Sequence, residues 1–369
     1  MKKTNSAYHL TVFTVFIGIL LTFSIVYLVN FLTERDSAIA PHCYDGTAIA
    51  ENDLFADLRR SVYQSKKKLS FVNKYQYRLF GIVKSSAVIA GENDFLFELE
   101  DTENDYNYVK DYIGDHAFST EEMSQILHRL RQTKSTYENR GAEYLLVIIP
   151  NSQTVYNECM PSYLGEIDED TRLNVLNEYL FDHSFYNFVD LTDDLRTAKG
   201  DGLLYNNTEN SLNSLGSYYV YQAVYKRFSP AVLANTKMLQ RDDLNFYQHL
   251  MTGKSVAREA GLADVVENHT VSLSNRTKLD YRFIHNGGIS STTFKLPFYI
   301  PSYNSNSPEL LLQFSSTWER LQFEPFFSNT FSKVTYQTDL SDDPAIFAGA
   351  APKVVIQFIY ENQLSQLLQ

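Results

Sequence analysis

A long uncharged segment near the amino terminus is the feature that most constrains this chain. From Leu10 to Leu32 the sequence carries no charge and is rich in Val, Ile, Leu and Phe. A helix of about 23 residues rises about 34 Å, which is enough to cross the hydrocarbon core of a bilayer. Lys2 and Lys3 precede the segment, whereas Glu34, Arg35 and Asp36 follow it. We therefore expect the amino terminus in the cytoplasm and the bulk of the chain outside it.

This topology divides the chain into four parts. We predict a cytoplasmic tail at 1–9, a single-pass transmembrane signal anchor at 10–32, a juxtamembrane basic stretch at 33–84 and an extracytoplasmic domain at 85–369. The protein is thus expected in the cell membrane. A cleaved signal peptide with its cleavage site at Ala38-Ile39-Ala40 remains an alternative, although the apolar core of such a peptide usually runs only about 7–15 residues.

Charge is unevenly distributed along the chain. The formal net charge of −12 argues against a nucleic-acid partner, because affinity for nucleic acids depends on cations that neutralise phosphates. Between Ala56 and Lys84, however, a single acid, Asp57, stands among eight cations. They are Arg59, Arg60, Lys66, Lys67, Lys68, Lys74, Arg78 and Lys84. This stretch either lies near anionic lipid or an anionic wall polymer, or forms a solvated helix face.

Cysteine and histidine usage predicts neither a disulfide scaffold nor a metal site. Cys43 and Cys159 could form one bridge in an oxidising compartment or remain two free thiols, and both alternatives stay open. No His-x-His, HExxH or CxxC spacing is present, and no glycine-rich phosphate loop. We therefore expect no metal and no cofactor.

Hydrophobic periodicity predicts the fold. Ser119 or Thr120 is expected to cap a helix that ends near Gly141, and the continuous apolar run Tyr144–Ile149 suits a central parallel strand covered on both faces. Strands and helices then alternate, except in an insertion at about 229–308 whose pieces look like antiparallel strands. The pattern predicts a three-layer α/β/α sandwich with a mostly parallel sheet. The other predicted elements are two short strands within 87–99, helices at about 171–180, 215–228 and 319–327, strands at about 185–191, 309–314, 333–336 and 353–358, and a last helix from Glu361.

Four segments resemble one known family in their order and spacing. They are RGAEYLLVIIPNSQTVYNECMP (140–161), GDGLLYNNTENSLNSLGSYYVYQ (200–222), LLLQFSSTWERLQFEPFFSNTFSKVTY (310–336) and APKVVIQFIYENQLSQLL (351–368). This sequence resembles the SGNH-hydrolase-like family of the alginate O-acetylation proteins AlgJ and AlgX, and AVIAGENDFLFEL (87–99) is similar to the opening segment of that family. The resemblance spans roughly 87–368, with a weak match in the insertion. It implies an SGNH-hydrolase-like domain and a role in cell-surface polysaccharide O-acetylation.

The resemblance also implies where a catalytic triad would stand. In the family, an Asp-x-His-Trp-Asn segment supplies acid and base, and a Gly-(Asp/Thr)-Ser segment supplies the nucleophile. Glu209 stands at the acid position, Ser211 at the base position and Ser316 at the nucleophile position, while Phe314 replaces the glycine of the turn. A serine hydroxyl takes up a proton poorly near neutral pH, and a positioned base is typically worth about 10²–10⁴ in rate. The departure therefore predicts a catalytically degenerate triad.

Two readings of function remain open. In the first, the chain is an accessory or glycan-binding component that assists a multipass membrane O-acyltransferase on a cell-surface polysaccharide. In the second, it is an active O-acetyltransferase or esterase in which Ser316 uses a relocated base such as His183 or His285. A histidine nitrogen within about 3.5 Å of Ser316 Oγ would favour the enzyme.

Substrate-binding residues are predicted on the same loops. Asn151 follows the first long strand in a Pro-Asn pair that the family shares. Asn213 ends the degenerate segment and keeps the family's residue there, and Tyr218 lies on the helix that follows. Tyrosine faces stack on sugar rings. An aromatic glycan groove is therefore one reading and a packed core the other, for the set Tyr218, Tyr219, Tyr221, Tyr299 and Tyr303.

Overall fold

A computed structural model describes residues 70–274, 298–301, 306–315, 320–337, 340 and 352–369. The predicted anchor at 10–32 lies outside these ranges, together with Cys43, His285, Tyr303 and Ser316. Within them, no helix combines the length and the apolar character that a bilayer crossing requires. Residues 85–259 and 263–369 form one compact unit, and the described part of a second unit consists of residues 70–84 with Ala260–Leu262.

The larger unit alternates strands and helices, as the periodicity predicts. In chain order the strands are β1 (Val88–Ala90), β2 (Leu96–Glu98), β3 (Glu100–Asp101), β4 (Tyr106–Asn107), β5 (Glu143–Ile149), β6 (Phe188–Asp190), β7 (Phe246–Thr252), β8 (Glu267–Leu273), β9 (Phe298–Pro301), β10 (Glu309–Phe314), β11 (Lys333–Gln337) and β12 (Val354–Tyr360). The α-helices are α1 (Tyr108–Tyr112), α2 (Thr120–Glu138), α3 (Ser152–Val155), α4 (Arg172–Asp182), α5 (Thr192–Ala198), α6 (Ser214–Tyr225), α7 (Pro230–Leu233), α8 (Ser255–Glu259) and α9 (Arg320–Thr330). A 3₁₀ helix, Glu361–Leu368, follows β12.

The central sheet confirms the prediction of a mostly parallel arrangement. Its strand order is β6-β5-β12-β10-β11-β9, in which the first five strands are parallel and β9 pairs antiparallel with β11 at one edge. The strand β9 comes from the segment predicted as an insertion. Part of that segment therefore extends the main sheet, a pairing that periodicity alone did not predict.

Side chains of the central strands enter two separate cores. Val147, Leu312 and Phe358 pack on one face of the sheet against α5, α6 and α9. Leu146, Leu311 and Val355 pack on the other face, against α2, α4 and the 3₁₀ helix. Because successive strand residues point to opposite faces, a strand covered on both sides is expected to be mostly apolar, as β5 is from Tyr144 to Ile149. The described part of the unit is therefore an α/β sandwich.

Local signals place the elements that flank this sheet. The side chain of Ser119 accepts a hydrogen bond from Glu122 N, and the Glu122 side chain accepts one from Ser119 N. Ser119, one of the two predicted caps, therefore starts α2 in a capping box. The strands β1 and β2 pair antiparallel around a turn in which Asn93 and Asp94 have φ of 56° and 61°. Asn and Asp tolerate this left-handed backbone better than most residues do. The antiparallel pair β7 and β8 lies in the predicted insertion.

Candidate functional site

A cavity of about 640 Å³ opens at the carboxyl edge of the central sheet. Tyr360 at the end of β12 and Gln322 on α9, the helix after β10, are part of its lining. The lining residues are Glu98, Glu100, Asp101, Thr102, Glu103, Tyr108, Glu209, Asn210, Ser211, Ser255, Gln322, Tyr360, Asn362 and Gln363. Ligands of open α/β sheets bind beyond the carboxyl ends of the strands. This cavity is therefore the candidate site.

Glu209 and Ser211, at the predicted acid and base positions, both line the cavity. They belong to a tight loop in which Ser211 N donates to Glu209 O at 2.8 Å, and Asn206 N donates to Ser211 O at 3.0 Å. The Oγ atom of Ser211 accepts a hydrogen bond from Asn206 Nδ2 at 2.9 Å. The hydroxyl at the base position is thus held by a neutral amide.

The loop is fixed by the start of α6. Asn213 caps this helix by accepting hydrogen bonds from Leu215 N and Gly216 N, and its Nδ2 donates to Leu203 O at 2.6 Å. A Cβ atom at Gly216 would lie 2.2 Å from Leu204 O, so only glycine fits there. Asn213, predicted to bind substrate, uses its side-chain amide to cap α6 and hold Leu203.

No histidine, lysine or arginine lines the cavity among the residues that the structure describes. His183 follows α4 and precedes β6, so it lies at the amino edge of the sheet, opposite the cavity, where its Nδ1 atom lies 2.8 Å from Tyr179 O. His183, one of the two residues considered as a relocated base, therefore lies far from the candidate site. Its counterpart at 285 lies outside the described residues.

The nucleophile segment follows β10. Ser316 is outside the described residues, but its neighbour Ser315 donates a short hydrogen bond to Gln363, which lines the cavity. Phe314, at the family's glycine position, is fully buried, and its ring stacks on Phe358 at a centroid distance of 5.1 Å and on Phe323 at 5.7 Å. The Phe314 side chain, which differs from the glycine of the family's motif, is therefore part of the hydrophobic core.

Carboxylates dominate the cavity wall. Glu98, Glu100, Asp101, Glu103 and Glu209 all line it. Burial raises the pKa of Glu98, as do the nearby charges of Asp101 and Glu209. Opposing this rise, the hydroxyl of Tyr108 donates to Glu98 Oε2 at 3.1 Å.

The amide of Asn210 connects this wall to the loop after β5. Its Nδ2 donates to Tyr108 Oη at 2.9 Å, and its Oδ1 accepts from Ser152 N at 3.1 Å. The sequence analysis did not predict Glu98 or Asn210 as site residues. Glu98 lies far before the triad segments, and Asn210 occupies the variable position between Glu209 and Ser211.

Asn151, predicted to bind substrate, is instead buried in a polar network beside the sheet. Its backbone N donates to Glu361 Oε2 at 2.7 Å, and its Nδ2 donates to Tyr106 Oη at 3.1 Å. The Tyr106 hydroxyl donates to Asp111 Oδ2 at 2.6 Å, and Thr154 Oγ1 donates to Glu361 Oε2 at 2.7 Å. Asn151 is 1% exposed and does not line the cavity.

Two buried carboxyl groups share this network. Burial raises the pKa of Glu361 to about 8, and the charge of Asp111 adds to the rise. Burial likewise raises the pKa of Asp111, against the hydrogen bonds from Tyr106 and from the backbone of Arg172. Near neutral pH, Glu361 therefore favours its protonated form. Its position directly after a buried strand was the signal that would have identified it from sequence.

The predicted aromatic groove is a packed core in the described part of the chain. Tyr218 and Tyr221 are fully buried, and their rings lie 5.7 Å and 5.8 Å from that of Phe326. Tyr219 is half-buried and lines a different cavity, of about 560 Å³, where it bonds Asp201. Tyr218, predicted to bind substrate, therefore serves packing in this structure.

Chemically, the site can bind hydroxyl and amino groups but offers no positioned imidazole among the described residues. The carboxylates can accept hydrogen bonds from such groups, and the amides of Asn210, Gln322 and Asn362 can both donate and accept them. No group of three His, Cys, Asp or Glu within the described ranges has a geometry suited to a metal ion. The absence of a cofactor remains a prediction.

Comparisons with known proteins bear on the fold. No protein-family model matches the sequence, and no curated protein matches it significantly. Among solved structures, a DHHW family protein from Eubacterium siraeum DSM 15702 matches with a TM-score of 0.52 at 10% identity, covering 76% of this chain and 97% of that chain. Bacillus cereus PatB1 matches with a TM-score of 0.51 at 11% identity, covering 76% and 98% respectively.

A third solved structure is the O-acetyltransferase domain of Pseudomonas putida AlgJ. It matches with a TM-score of 0.45 at 16% identity, covering 76% of this chain and 92% of that chain. The likeness to the Eubacterium siraeum protein and to PatB1 shows that this chain shares their fold.

Proposed function

We propose that this chain is a catalytically degenerate, SGNH-hydrolase-like glycan-binding protein that assists O-acetylation of a cell-surface polysaccharide. The single observation that carries the proposal is the composition of the carboxyl-edge cavity. Glu209 and Ser211, which the resemblance assigns to the acid and base positions, line it, and no imidazole does so among the described residues. The motif resemblance and the shared fold support the O-acetylation context. The partner in this proposal is a multipass membrane O-acyltransferase that supplies the acyl group.

The location belongs to the same proposal. A polysaccharide outside the cytoplasm is reached only if residues 85–369 lie on that side, with the segment 10–32 as the anchor. Protease added to intact spheroplasts should then digest the bulk of the chain and leave a small protected fragment. Full protection of the chain would contradict this orientation.

Wall charge indicates the chemical class of the glycan. Five carboxylates line the cavity, and no lysine or arginine among the described residues offsets them there. Two like charges at about 4 Å repel by about 1 kcal/mol even in water, and more strongly at a protein surface. A uronate polymer such as alginate is therefore disfavoured. We propose a neutral or amino-bearing sugar as the ligand.

Binding can be tested with three matched oligosaccharides. The full-length protein is titrated with neutral N-acetylglucosamine oligomers, with their amino-bearing glucosamine counterparts and with oligouronates. We expect the first two to bind more tightly than the third, and Glu98→Gln to narrow that difference. Glu169→Gln, which changes an exposed acid outside the cavity, serves as the matched control. Preferential binding of oligouronates would overturn the proposed ligand class.

Loss of catalysis is tested separately. The full-length protein, Ser316→Ala and Ser211→His are incubated with an activated acetyl ester, and acetate release is measured. We expect the first two to show the same low rate. Restoring an imidazole in Ser211→His should raise the rate, because a positioned base contributes about 10²–10⁴. Ser255→His places an imidazole elsewhere in the cavity and should leave the rate unchanged. A clear rate in the unmodified protein that Ser316→Ala abolishes would instead establish an active O-acetyltransferase or esterase.

A further inference from the structure

An apolar stripe runs along the helical residues 70–80 of the smaller unit. Phe71, Tyr75 and Leu79 follow one another at intervals of four residues, and their exposed fractions are 58%, 56% and 57%. Residues at this spacing lie on the same face of an α-helix. The rings of Phe71 and Tyr75 contact each other with centroids 4.7 Å apart. The three side chains therefore form one continuous exposed surface, which we call the apolar stripe.

The other side of this helix is already occupied within its own unit. Val72 and Asn73 are buried, and Asn73 Nδ2 donates to Ala260 O at 2.9 Å. Asn73 Oδ1 accepts from Lys84 N at 2.9 Å, and Ser70 Oγ donates to Gly261 O at 2.8 Å. The helix is thus fixed through its polar and buried side. The apolar stripe points away from that contact.

The sequence around the apolar stripe is rich in cations. Arg78 is exposed and lies three residues after Tyr75, on the same side of the helix. The stretch from Ala56 to Lys84 carries eight cations against a single acid, in a chain whose formal net charge is −12. A helix with aromatic and aliphatic residues on one face and nearby cations has the composition of an interfacial membrane helix.

We propose that the apolar stripe binds the surface of an anionic lipid bilayer, with Phe71, Tyr75 and Leu79 inserted at the headgroup boundary and Arg78 near lipid phosphates. A soluble wall polymer also attracts cations but offers no apolar layer for three exposed hydrophobic side chains. The predicted anchor at 10–32 would keep this helix close to the bilayer and raise its effective concentration there. The inference is independent of any activity at the carboxyl-edge cavity.

Depth-dependent quenching tests the proposal on the full-length chain. An environment-sensitive fluorophore is attached to Tyr75→Cys in a Cys43→Ser background, where the remaining Cys159 is buried. The protein is placed in nanodiscs of phosphatidylcholine, with or without phosphatidylglycerol, that contain a lipid-borne quencher. We expect strong quenching in the anionic discs, and less in neutral discs or at high salt. The matched control is Tyr163→Cys, which labels a tyrosine that is 76% exposed in the larger unit, and it should show no such dependence.

Charge and hydrophobicity are then varied separately. Arg78→Gln should lower the ratio of bilayer-bound to unbound helix, measured by the quenching of the label, about fivefold in anionic discs. The reason is that each cation near an anionic membrane surface raises the binding constant by roughly that factor. Leu79→Ser should weaken quenching in both kinds of disc. Both residues are exposed, so these variants should fold normally. Equal quenching at positions 75 and 163, or no effect of phosphatidylglycerol at position 75, would overturn the proposal. The proposal would also be overturned if a soluble polyanion changed the fluorescence of the label as much as the anionic lipid does.

Discussion

Replacing Phe314 by alanine should strongly destabilise the larger unit, although the family that the sequence resembles has glycine there. Phe314 is fully buried and stacks on Phe323 and Phe358. A buried aromatic side chain removes about 150–250 Å² from water, and truncating a buried Phe to Ala typically costs about 3–5 kcal/mol. We therefore expect a loss near about 4 kcal/mol in the free energy of unfolding.

The measurement is urea unfolding followed by the fluorescence of the chain, with the same slope assumed for all variants. Phe181→Ala is the matched control, because Phe181 is 64% exposed and should lose less than about 1 kcal/mol. A loss below about 1 kcal/mol for Phe314→Ala would refute the reasoning, because it would mean that the ring is not part of the packed core. The expected result implies that reversion to glycine at this position cannot restore the family's turn without a large loss of stability.

Three further predictions concern polar groups near the site. Asn213→Ala should lower the free energy of unfolding by about 1–2 kcal/mol, because α6 loses its cap. The melting temperature should therefore fall, whereas Asn139→Ala, at an exposed position, should change the melting temperature little. Tyr205→Phe leaves the buried Pro150 carbonyl without its 2.5 Å hydrogen bond, and should cost about 1–3 kcal/mol in urea unfolding. Burial raises the folded-state pKa of Glu361 to about 8, so its contribution to stability is full below the unfolded pKa near 4.5 and is lost as pH rises towards 8. Glu361→Gln should flatten this decline, and an unchanged dependence of the urea midpoint on pH would contradict the assignment.

Local sequence was sufficient to predict many of the elements. The capping box at Ser119 and Glu122 satisfies the first amides of α2 from residues three apart. The apolar run of β5 predicted a strand buried on both faces, and the parallel sheet confirms it. Such signals are read within one helical turn or one strand, so distant parts of the chain do not alter them. Pairing of β9 with the main sheet was not predictable in this way, because it joins residues separated by the whole of β10.

Membership of the candidate site depended on long-range contacts. The motif placed Glu209 and Ser211, which the structure brings to the cavity, but the wall that faces them contains Glu98 and Asp101 from a distant segment. Likewise, Tyr218 was a candidate for sugar stacking until the packing of α6 against α9 placed it in the core. A sequence pattern gives the face of an element but not the neighbour that covers it.

The sequence by itself predicted most of the strands and helices of the central sandwich and the edge of the sheet at which the candidate cavity opens. The replacement of an imidazole by Ser211 stays a prediction from the family resemblance. Only the tertiary structure decided that five carboxylates share one cavity, and that Asn151 belongs to a buried network with Glu361 rather than to the cavity wall. The physical reason is that the side-chain pattern of a helix or strand is set by residues close in sequence. Burial and charge instead depend on which distant residues the fold brings into contact.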